Sequence, residues 1–283
     1  MNIVIAVSSA LMAAVCFGIG SVLQHVAARQ APTRKSMSLR LLLDLVRRPR
    51  WLAGLVLSVS SFAFLGLALA FGPLVLVLPL SATDLLFALP FLALRRGERL
   101  TRWEKTGMLC TAGGVAVFLA VLPLSAGVML PTAYAWVPVF ALVVATVALL
   151  APVGARHPGW IRTAAYAVCA ALMLALLDGL AKSTFGRFRA DGREVLLHWE
   201  PYALITVGVT SLVLSQSAFQ AGSLAVSLPI IDTLEPIGAV AIGIAVFGEQ
   251  LALTGWELAV QMVGAAAAVT GIVLLRRSPL ATA

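Results

Sequence analysis

Four acidic residues lie inside long apolar stretches of the sequence, where a charge is hard to accommodate. They are Asp84, Asp178, Asp232 and Glu235. If these stretches cross a membrane, each ionised carboxylate near the bilayer centre costs about 2.5–3.5 kcal/mol, so four together cost on the order of 10 kcal/mol. Such acids are expected to be paired, to be neutral, or to bind a cation or a proton.

One of the four acids has a basic residue at the spacing of one helical turn. Lys182 follows Asp178 at i+4, near the end of its apolar stretch, where a lysine can extend to the interface. We interpret these two residues as a structural ion pair and keep them as secondary site candidates. No basic residue lies within a helical turn of Asp84, Asp232 or Glu235.

Prolines flank the other three acids. Asp232 and Glu235 share a helix face at i,i+3. Each proline removes a backbone donor and disturbs the carbonyl one turn earlier, so we predict two facing broken helices whose carbonyls and carboxylates form an oxygen-rich pocket. The flanking prolines are Pro79 and Pro90 in the first helix, and Pro229 and Pro236 in the second.

An oxygen-rich pocket suits a hard divalent cation such as Mg²⁺. The first hypothesis is therefore that Asp84, Asp232 and Glu235 bind a transported Mg²⁺ or a similar divalent cation. On entering a negative interior this ion gains about 4.6 kcal/mol per 100 mV, so its uptake needs no coupling ion. In a second hypothesis the same acids exchange protons for a small metabolite or drug, as in a proton-coupled exporter. The structural alternative is that the acids are protonated and hydrogen-bond to the backbone gaps.

An exported organic solute would favour a wider pocket lined by amide and aromatic groups. Phenylalanines at helical spacing more often pack against neighbours than line a site. The secondary candidates for such a pocket are the amides Gln24, Gln216 and Gln220 and the rings of Phe17, Phe62, Phe64, Phe87 and Phe219.

The elements that would position these residues are nine apolar segments. Hydrophobic residues make up 61% of the chain and charged residues 11%, and about 20 apolar residues are enough for a helix to span the hydrocarbon layer. We therefore predict an all-α integral membrane protein with no soluble domain. The predicted spans are 3–27, 51–70, 73–94, 106–124, 132–151, 160–181, 201–221, 223–247 and 256–275.

The basic residues predict the orientation of these spans. The formal net charge is +8, but the charge lies between the spans, so it does not indicate a nucleic-acid partner. With the N-terminus outside and the C-terminus inside, all but four of the 20 basic residues face the inner side, as the positive-inside bias requires. The four exceptions are Lys182, Arg187, Arg189 and Arg193.

One apolar segment occurs twice. The copies are GPLVLVLPLSATDLLFALPFLALRRGERL from Gly72 and GSLAVSLPIIDTLEPIGAVAIGIAVFGEQL from Gly222. In the predicted orientation they cross the membrane in opposite directions, which predicts two inverted-topology repeats with substrate between them. Residues 1–283 would form one transporter domain. Its halves are 1–125, with four spans and a segment 31–50 on the inner surface, and 131–277, with five.

Glycine-rich spans favour close contact and sliding of helices. The residues concerned are Gly18, Gly20, Gly113, Gly114 and Gly264.

The sequence has no G-x-S-x-G, Walker A or dinucleotide-binding motif, and its three cysteines lack the spacing of a metal site. We therefore expect neither an enzyme nor a bound cofactor.

The hairpin LALAFGPLVLVLPLSATDLLFALP, followed by RRGERLTRWEKTG, resembles the drug/metabolite transporter (EamA-like) superfamily. Within it, the opening SSALMAAVCFGIGSVLQHVAAR is similar to bacterial relatives of the NIPA-type magnesium transporters. The positions that match the superfamily are the turn glutamates Glu98 and Glu249 and the closing-span glycines Gly107, Gly113, Gly114, Gly255, Gly264 and Gly271.

This resemblance implies a carrier in the bacterial plasma (inner) membrane that works by alternating access. Its partners would be the lipid bilayer and a small solute or divalent cation. A homodimer is left open, as is a membrane scaffold that transports nothing.

Overall fold

The computed structural model describes residues 2–29, 49–123, 127–221, 224–251 and 255–276, and every regular element in these ranges is helical. The predicted all-α class is confirmed for them. The helices are α1 (Ile3–Arg29), α2 (Pro49–Phe71), α3 (Leu74–Ser81), α4 (Leu85–Arg96), α5 (Arg102–Ala120), α6 (Ala133–Arg156), α7 (Trp160–Asp191), a 3-10 helix (Gly192–Leu197), α8 (Glu200–Ala221), α9 (Leu224–Phe247) and α10 (Gly255–Arg276).

Seven segments of the described chain are long and apolar enough to cross a membrane, which indicates a multi-pass membrane protein. Two of the nine predicted spans do not meet this criterion. Segment 106–124 overlaps α5, a helix of Arg102–Ala120 that begins with a charged turn. Segment 201–221 lies on α8, where the apolar stretch is the shorter Glu200–Ser215. The seven are Ile3–Leu23, Pro49–Phe71, Leu74–Arg96, Ala133–Arg156, Trp160–Leu197, Ile230–Phe247 and Gly255–Leu275.

The two ends of the helix bundle are packed differently. At one end, which we name the closed end, a single core cluster contains residues from both halves, such as Leu69, Leu74, Leu180 and Phe247. At the opposite end, the open end, the described buried residues form two separate clusters. One joins Val22, Leu89 and Leu275, and the other joins Ala170, Ala218 and Ile231. The described buried side chains therefore form one continuous core at the closed end and two separate clusters at the open end.

Helices α2 and α7 show how the halves converge. A Cβ atom on Gly66 would overlap the Phe185 ring. One turn further along both helices, Arg189 Nη1 donates to Ala70 O at 2.9 Å, and its guanidinium lies 4.0 Å from the centre of the Phe71 ring. Towards the open end the same two helices line a cavity. They therefore run in the same direction and enclose a wedge-shaped space.

The last helix of each half, α5 and α10, pack against each other in antiparallel directions. A Cβ on Gly114 would lie 2.6 Å from Gly264 O, and a Cβ on Gly271 would lie 2.5 Å from Thr111 N, so only glycine allows this approach of backbones. The predicted close contact is confirmed at Gly114 and Gly264. It is wrong at Gly113, which lies on the other side of α5 with nothing within 4 Å of a Cβ.

Two other predicted glycine contacts are confirmed on α1. A Cβ on Gly18 would overlap the Asp84 carbonyl, and a Cβ on Gly20 would lie 3.0 Å from Gly54 O. These glycines bring α1 against the turn that precedes α4 and against the start of α2.

The two copies of the repeated segment fold differently. In the first copy the chain turns at 82–84, which separates α3 from α4, and Pro79 and Pro90 lie inside those helices. In the second copy α9 is one continuous helix through Pro229 and Pro236. The predicted helix break is therefore correct for the first copy and wrong for the second. A proline removes one hydrogen bond and bends a helix, but it does not have to end it.

The second copy runs antiparallel to the first. Near the end of α9, a Cβ on Gly243 would lie 3.3 Å from the Cβ of Leu74, at the start of α3. Near its middle, Asp232 and Glu235 share a cavity with Asp84, which precedes α4. These opposed directions are what an inverted repeat requires.

Candidate functional site

One cavity of about 480 Å³ lies between the two halves and contains the candidate site. Its walls come from α1 to α4 of the first half and from α7 to α10 of the second. All four acids identified in the sequence line it, namely Asp84, Asp178, Asp232 and Glu235. The structure thus brings together side chains that are up to about 150 positions apart in the sequence.

Each acid is positioned by a different local feature. Asp84 lies at the break between α3 and α4, where its carbonyl accepts a hydrogen bond from Ala88 N at 2.9 Å and begins the new helix. Asp232 and Glu235 lie one turn apart on α9, as predicted, and Asp178 lies on α7. Because α9 is antiparallel to the first copy, the middle of each copy faces the same space.

The remaining polar groups of the wall are hydroxyls. They belong to Ser58, Ser61, Ser81 and Ser215. Ser61 Oγ donates to Ala13 O at 2.8 Å and Ser81 Oγ donates to Leu78 O at 2.9 Å. These two hydroxyls use their hydrogens on the backbone, so what they offer to the cavity are acceptor lone pairs.

Apolar side chains complete the wall, and none of the described lining residues is basic. Two of the predicted aromatic candidates, Phe17 and Phe62, line the cavity, while Phe64 and Phe87 do not. The wall therefore combines acidic and acceptor groups with apolar surface, a combination that favours a cation with an apolar portion.

Asp178 has an unsatisfied oxygen. The residue is 8% exposed, and its Oδ2 atom has no hydrogen-bond partner among the described residues. A buried polar oxygen without a partner is costly and uncommon in proteins. Asp178 is therefore a stronger candidate for the site than the sequence analysis made it, where it was a secondary candidate in a structural ion pair.

The predicted pair of Asp178 with Lys182 is wrong. Lys182 Nζ donates instead to Glu249 Oε1, and both side chains are buried. The ammonium lies 4.2 Å from the centre of the Phe247 ring, which directs it along α7 towards the closed end. The i,i+4 spacing permits a pair with Asp178, but a lysine is long enough to reach an acid in the turn after α9 instead.

Glu249 joins the two halves at the closed end. Its Oε1 accepts a hydrogen bond from Leu74 N at 2.8 Å and its Oε2 accepts one from Val75 N at 2.9 Å, so the carboxylate covers the N-terminus of α3. Two backbone donors, the helix dipole and the Lys182 ammonium all stabilise the same anion. In the sequence analysis Glu249 was matched to a turn glutamate of the superfamily, which gave no indication that its side chain would be buried.

An aromatic cluster that the sequence analysis did not identify lies beside this contact. Trp136 is 1% exposed, and its ring centre lies 5.8 Å from that of Phe247, 6.0 Å from that of Trp199 and 6.1 Å from that of Phe140. The four rings fill the closed end on the side of α6 and α8. Trp136 and Phe140 are one helical turn apart, but Trp199 and Phe247 are distant in the sequence, so no common spacing could have predicted the cluster.

The acids do not form a preformed metal site. Among the described residues, no group of three or more His, Cys, Asp or Glu side chains is arranged to hold a metal ion. Asp84, Asp232 and Glu235 line the same cavity from different elements, Asp84 from the turn before α4 and the other two from α9. A divalent cation in this conformer would therefore be held through its water shell.

Several predicted residues cannot be assigned to the site. Gln24 lies on α1, and Gln216, Phe219 and Gln220 lie on α8, but their side chains are outside the described residues, as is that of Pro229. The predicted surface segment 31–50 is also outside them, apart from its last two residues, which begin α2.

One curated protein resembles the chain along most of its length. It is the uncharacterized protein Cgl0250/cg0304 of Corynebacterium glutamicum, 31% identical over 266 residues, which cover 89% of this chain and 88% of that protein. No protein-family profile and no solved structure matches the chain.

Proposed function

The chain belongs to the family of the Corynebacterium glutamicum protein, and we propose that it is an alternating-access carrier that moves a small cation across the membrane. The observation that carries this proposal is the cavity between the halves, which is lined by four acids contributed by both halves and by no described basic residue. Burying four carboxylates in a membrane protein costs free energy, and a bound cation offsets that cost by neutralising their charge.

The proposed topology has nine spans, with the N-terminus outside and the C-terminus inside. Seven of these spans are the apolar segments described above, and α5 and α8 are the other two. Helix α5 packs along the span α10, and α8 packs along the span α7. Basic residues lie at the open end, including Arg95 and Arg96 in the last turn of α4 and Arg156 in the last turn of α6. By the positive-inside rule the open end faces the cytoplasm, and the conformer described is inward-open.

An organic cation fits the cavity better than a bare metal ion. The volume of about 480 Å³ lies within the range of small-molecule sites, and the walls include apolar and aromatic surface. The carboxylates and serine hydroxyls accept hydrogen bonds, so the preferred cargo carries N–H donors, as an amine or diamine does. In this version a proton taken up by one of the acids exchanges for the cargo, and the carrier exports.

Mg²⁺ or a similar divalent cation is the second candidate. The polar groups of the described wall are carboxylate and hydroxyl oxygens only, which are the ligands that Mg²⁺ takes, and the space leaves room for its retained waters. Uptake would be driven by the membrane potential, with Asp84, Asp232 and Glu235 binding the hydrated ion.

Flux through the purified full-length protein in liposomes tests both versions. One assay measures Mg²⁺ entry under an inside-negative potential, and the other measures exchange of radiolabelled 1,4-diaminobutane against a proton gradient. Asp84→Asn, Asp178→Asn and Glu235→Gln are each expected to lower the active flux by roughly tenfold or more, since each removes a charge that pairs with the cargo. Glu194→Gln, which changes an exposed acid outside the cavity, should match the wild type.

Each outcome has a defined meaning. Diamine exchange that depends on the three acids supports the exporter, and potential-driven Mg²⁺ entry with the same dependence supports the second candidate. Absence of both fluxes, or a flux that all three variants retain, contradicts the proposed function.

A further inference from the structure

Lys182 lies between two carboxylates that belong to different parts of the molecule. Its ammonium is bonded to Glu249 at the closed end. One helical turn earlier on the same continuous helix, Asp178 lines the cavity with an oxygen that has no partner among the described residues. Residues at i and i+4 of a helix are side-chain neighbours, so the flexible lysine can reach either acid by rotation of its side chain.

The contact of Glu249 with α3 requires the closed end to be packed. The carboxylate reaches α3 because the turn after α9 lies against the start of the first copy, where Leu74 N and Val75 N donate to it. Opening this end for alternating access would carry the turn away from α3 and expose the carboxylate to water. A buried lysine that loses its partner then needs another anion, and Asp178 is the acid on its own helix.

We propose that Lys182 exchanges between Glu249 and Asp178 and thereby couples the closed end of the bundle to the cation site. In the conformer described, Lys182 holds the closed end shut and leaves Asp178 free to bind a cation from the open side. In the opposite conformer Lys182 pairs with Asp178, neutralises it and displaces the cation. The inference rests on the alternating access of the proposed function. It adds the direction of cation transport, because the affinity for the cation is high on the open side and low on the opposite side.

The coupling predicts how two neutralising substitutions act on the closed end. Glu249→Gln removes the charge that holds Lys182 and can accept only one of the two α3 amide bonds, so the closed end opens more often. Asp178→Asn removes the alternative partner, so Lys182 remains with Glu249 and the closed end opens less often. Asp178→Asn added to Glu249→Gln should reverse part of the opening.

Thiol labelling at the closed end measures this directly. The reporter is Ala70→Cys, at a position that is 5% exposed beside Arg189, in a full-length chain whose own cysteines, Cys16, Cys110 and Cys169, are changed to alanine. The purified protein in detergent is treated with a hydrophilic maleimide, and the labelling rate is followed by mass. Glu194→Gln, at an exposed acid in the 3-10 helix of the same end, is the matched control.

Relative to the control, Glu249→Gln is expected to raise the labelling rate by about tenfold, which corresponds to the loss of one charge-assisted buried contact. Asp178→Asn should lower the rate by about threefold, both alone and in the Glu249→Gln background. If Glu249→Gln does not fold, the effect of Asp178→Asn alone still decides the matter.

Two results overturn the inference. One is a Glu249→Gln rate equal to that of the control, which means that the contact does not hold the closed end. The other is an Asp178→Asn rate that does not fall, which means that Lys182 is not shared. Because labelling needs no cargo, a failed flux assay with these labelling results would refute the proposed cargo and leave the coupling intact.

Discussion

The turn after α4 and the turn after α9 have the same local structure and opposite surroundings. Each has a glycine in the left-handed region, with φ of 68° at Gly97 and 63° at Gly248, and each continues with a glutamate whose N–H donates back to a helix carbonyl at 3.0 Å. Glu98 is exposed, whereas Glu249 is 2% exposed and is bonded to α3 and Lys182. The same motif is therefore a surface turn in one copy and a buried contact between the halves in the other.

The difference follows from the packing of the bundle at its two ends. In antiparallel copies, the end of each copy lies on the same side as the start of the other. The Glu249 turn is at the closed end, where it meets the start of α3, and the Glu98 turn is at the open end. A bundle that is closed at one end and open at the other buries one of the two turns at a time. Under the proposed alternating access, the asymmetry between Glu98 and Glu249 would also report the conformational state of the carrier.

Replacement of the two glutamates by alanine should give the largest contrast. Glu249→Ala leaves Lys182 buried without a partner and removes the acceptor of two α3 amides, so we expect a loss of about 3–5 kcal/mol in the free energy of unfolding. Glu98→Ala changes an exposed side chain and should stay within about 0.5 kcal/mol of the wild type. Thermal unfolding in detergent compares the two. Equal losses would show that the burial of Glu249 contributes nothing to stability.

A smaller effect is expected from the helices that follow the two turns, where the copies are alike. Gly271→Ala on α10 places a methyl group 2.5 Å from Thr111 N of α5 and should destabilise the fold by about 1–3 kcal/mol. Gly113→Ala on α5 meets nothing within 4 Å and should be neutral or slightly stabilising. Thermal unfolding of both variants distinguishes them. A neutral Gly271→Ala would mean that α5 and α10 separate readily and that this pair is not the fixed part of the bundle.

The local features of the site could be predicted from the sequence, and the contacts between distant segments could not. The acids at 84, 178, 232 and 235 could be identified because a carboxylate in a membrane-spanning segment is rare and costly. The antiparallel course of the two copies follows from the repeat and the charge pattern. The helix break at Asp84 was predicted from its prolines. The same argument failed for α9, where packing against α7 maintains the helix through two prolines.

The partner of Lys182 shows why the remaining contacts were missed. Sequence spacing favoured Asp178, four residues away, over Glu249, which is 67 residues away. The choice between them depends on how the turn after α9 packs against α7, and the spacing of residues along one helix does not record such a contact. The aromatic cluster around Trp136 was missed for a related reason, since it depends on the packing of α6, the residue before α8 and the end of α9 against one another.

The smallest effect concerns Glu98, which contributes little in the conformer described. If the two turns exchange roles, the opposite conformer brings Glu98 to the start of α9, which begins at Leu224 as α3 begins at Leu74. Glu98→Gln should then weaken that conformer only, and lower the labelling rate of the Ala70→Cys reporter by about threefold in the Glu249→Gln background, since it removes one charged helix cap without a lysine partner. The free energy of unfolding should not change. An unaltered labelling rate would mean that the asymmetry of the two turns is permanent, and that the second half alone carries the contact that opens and closes.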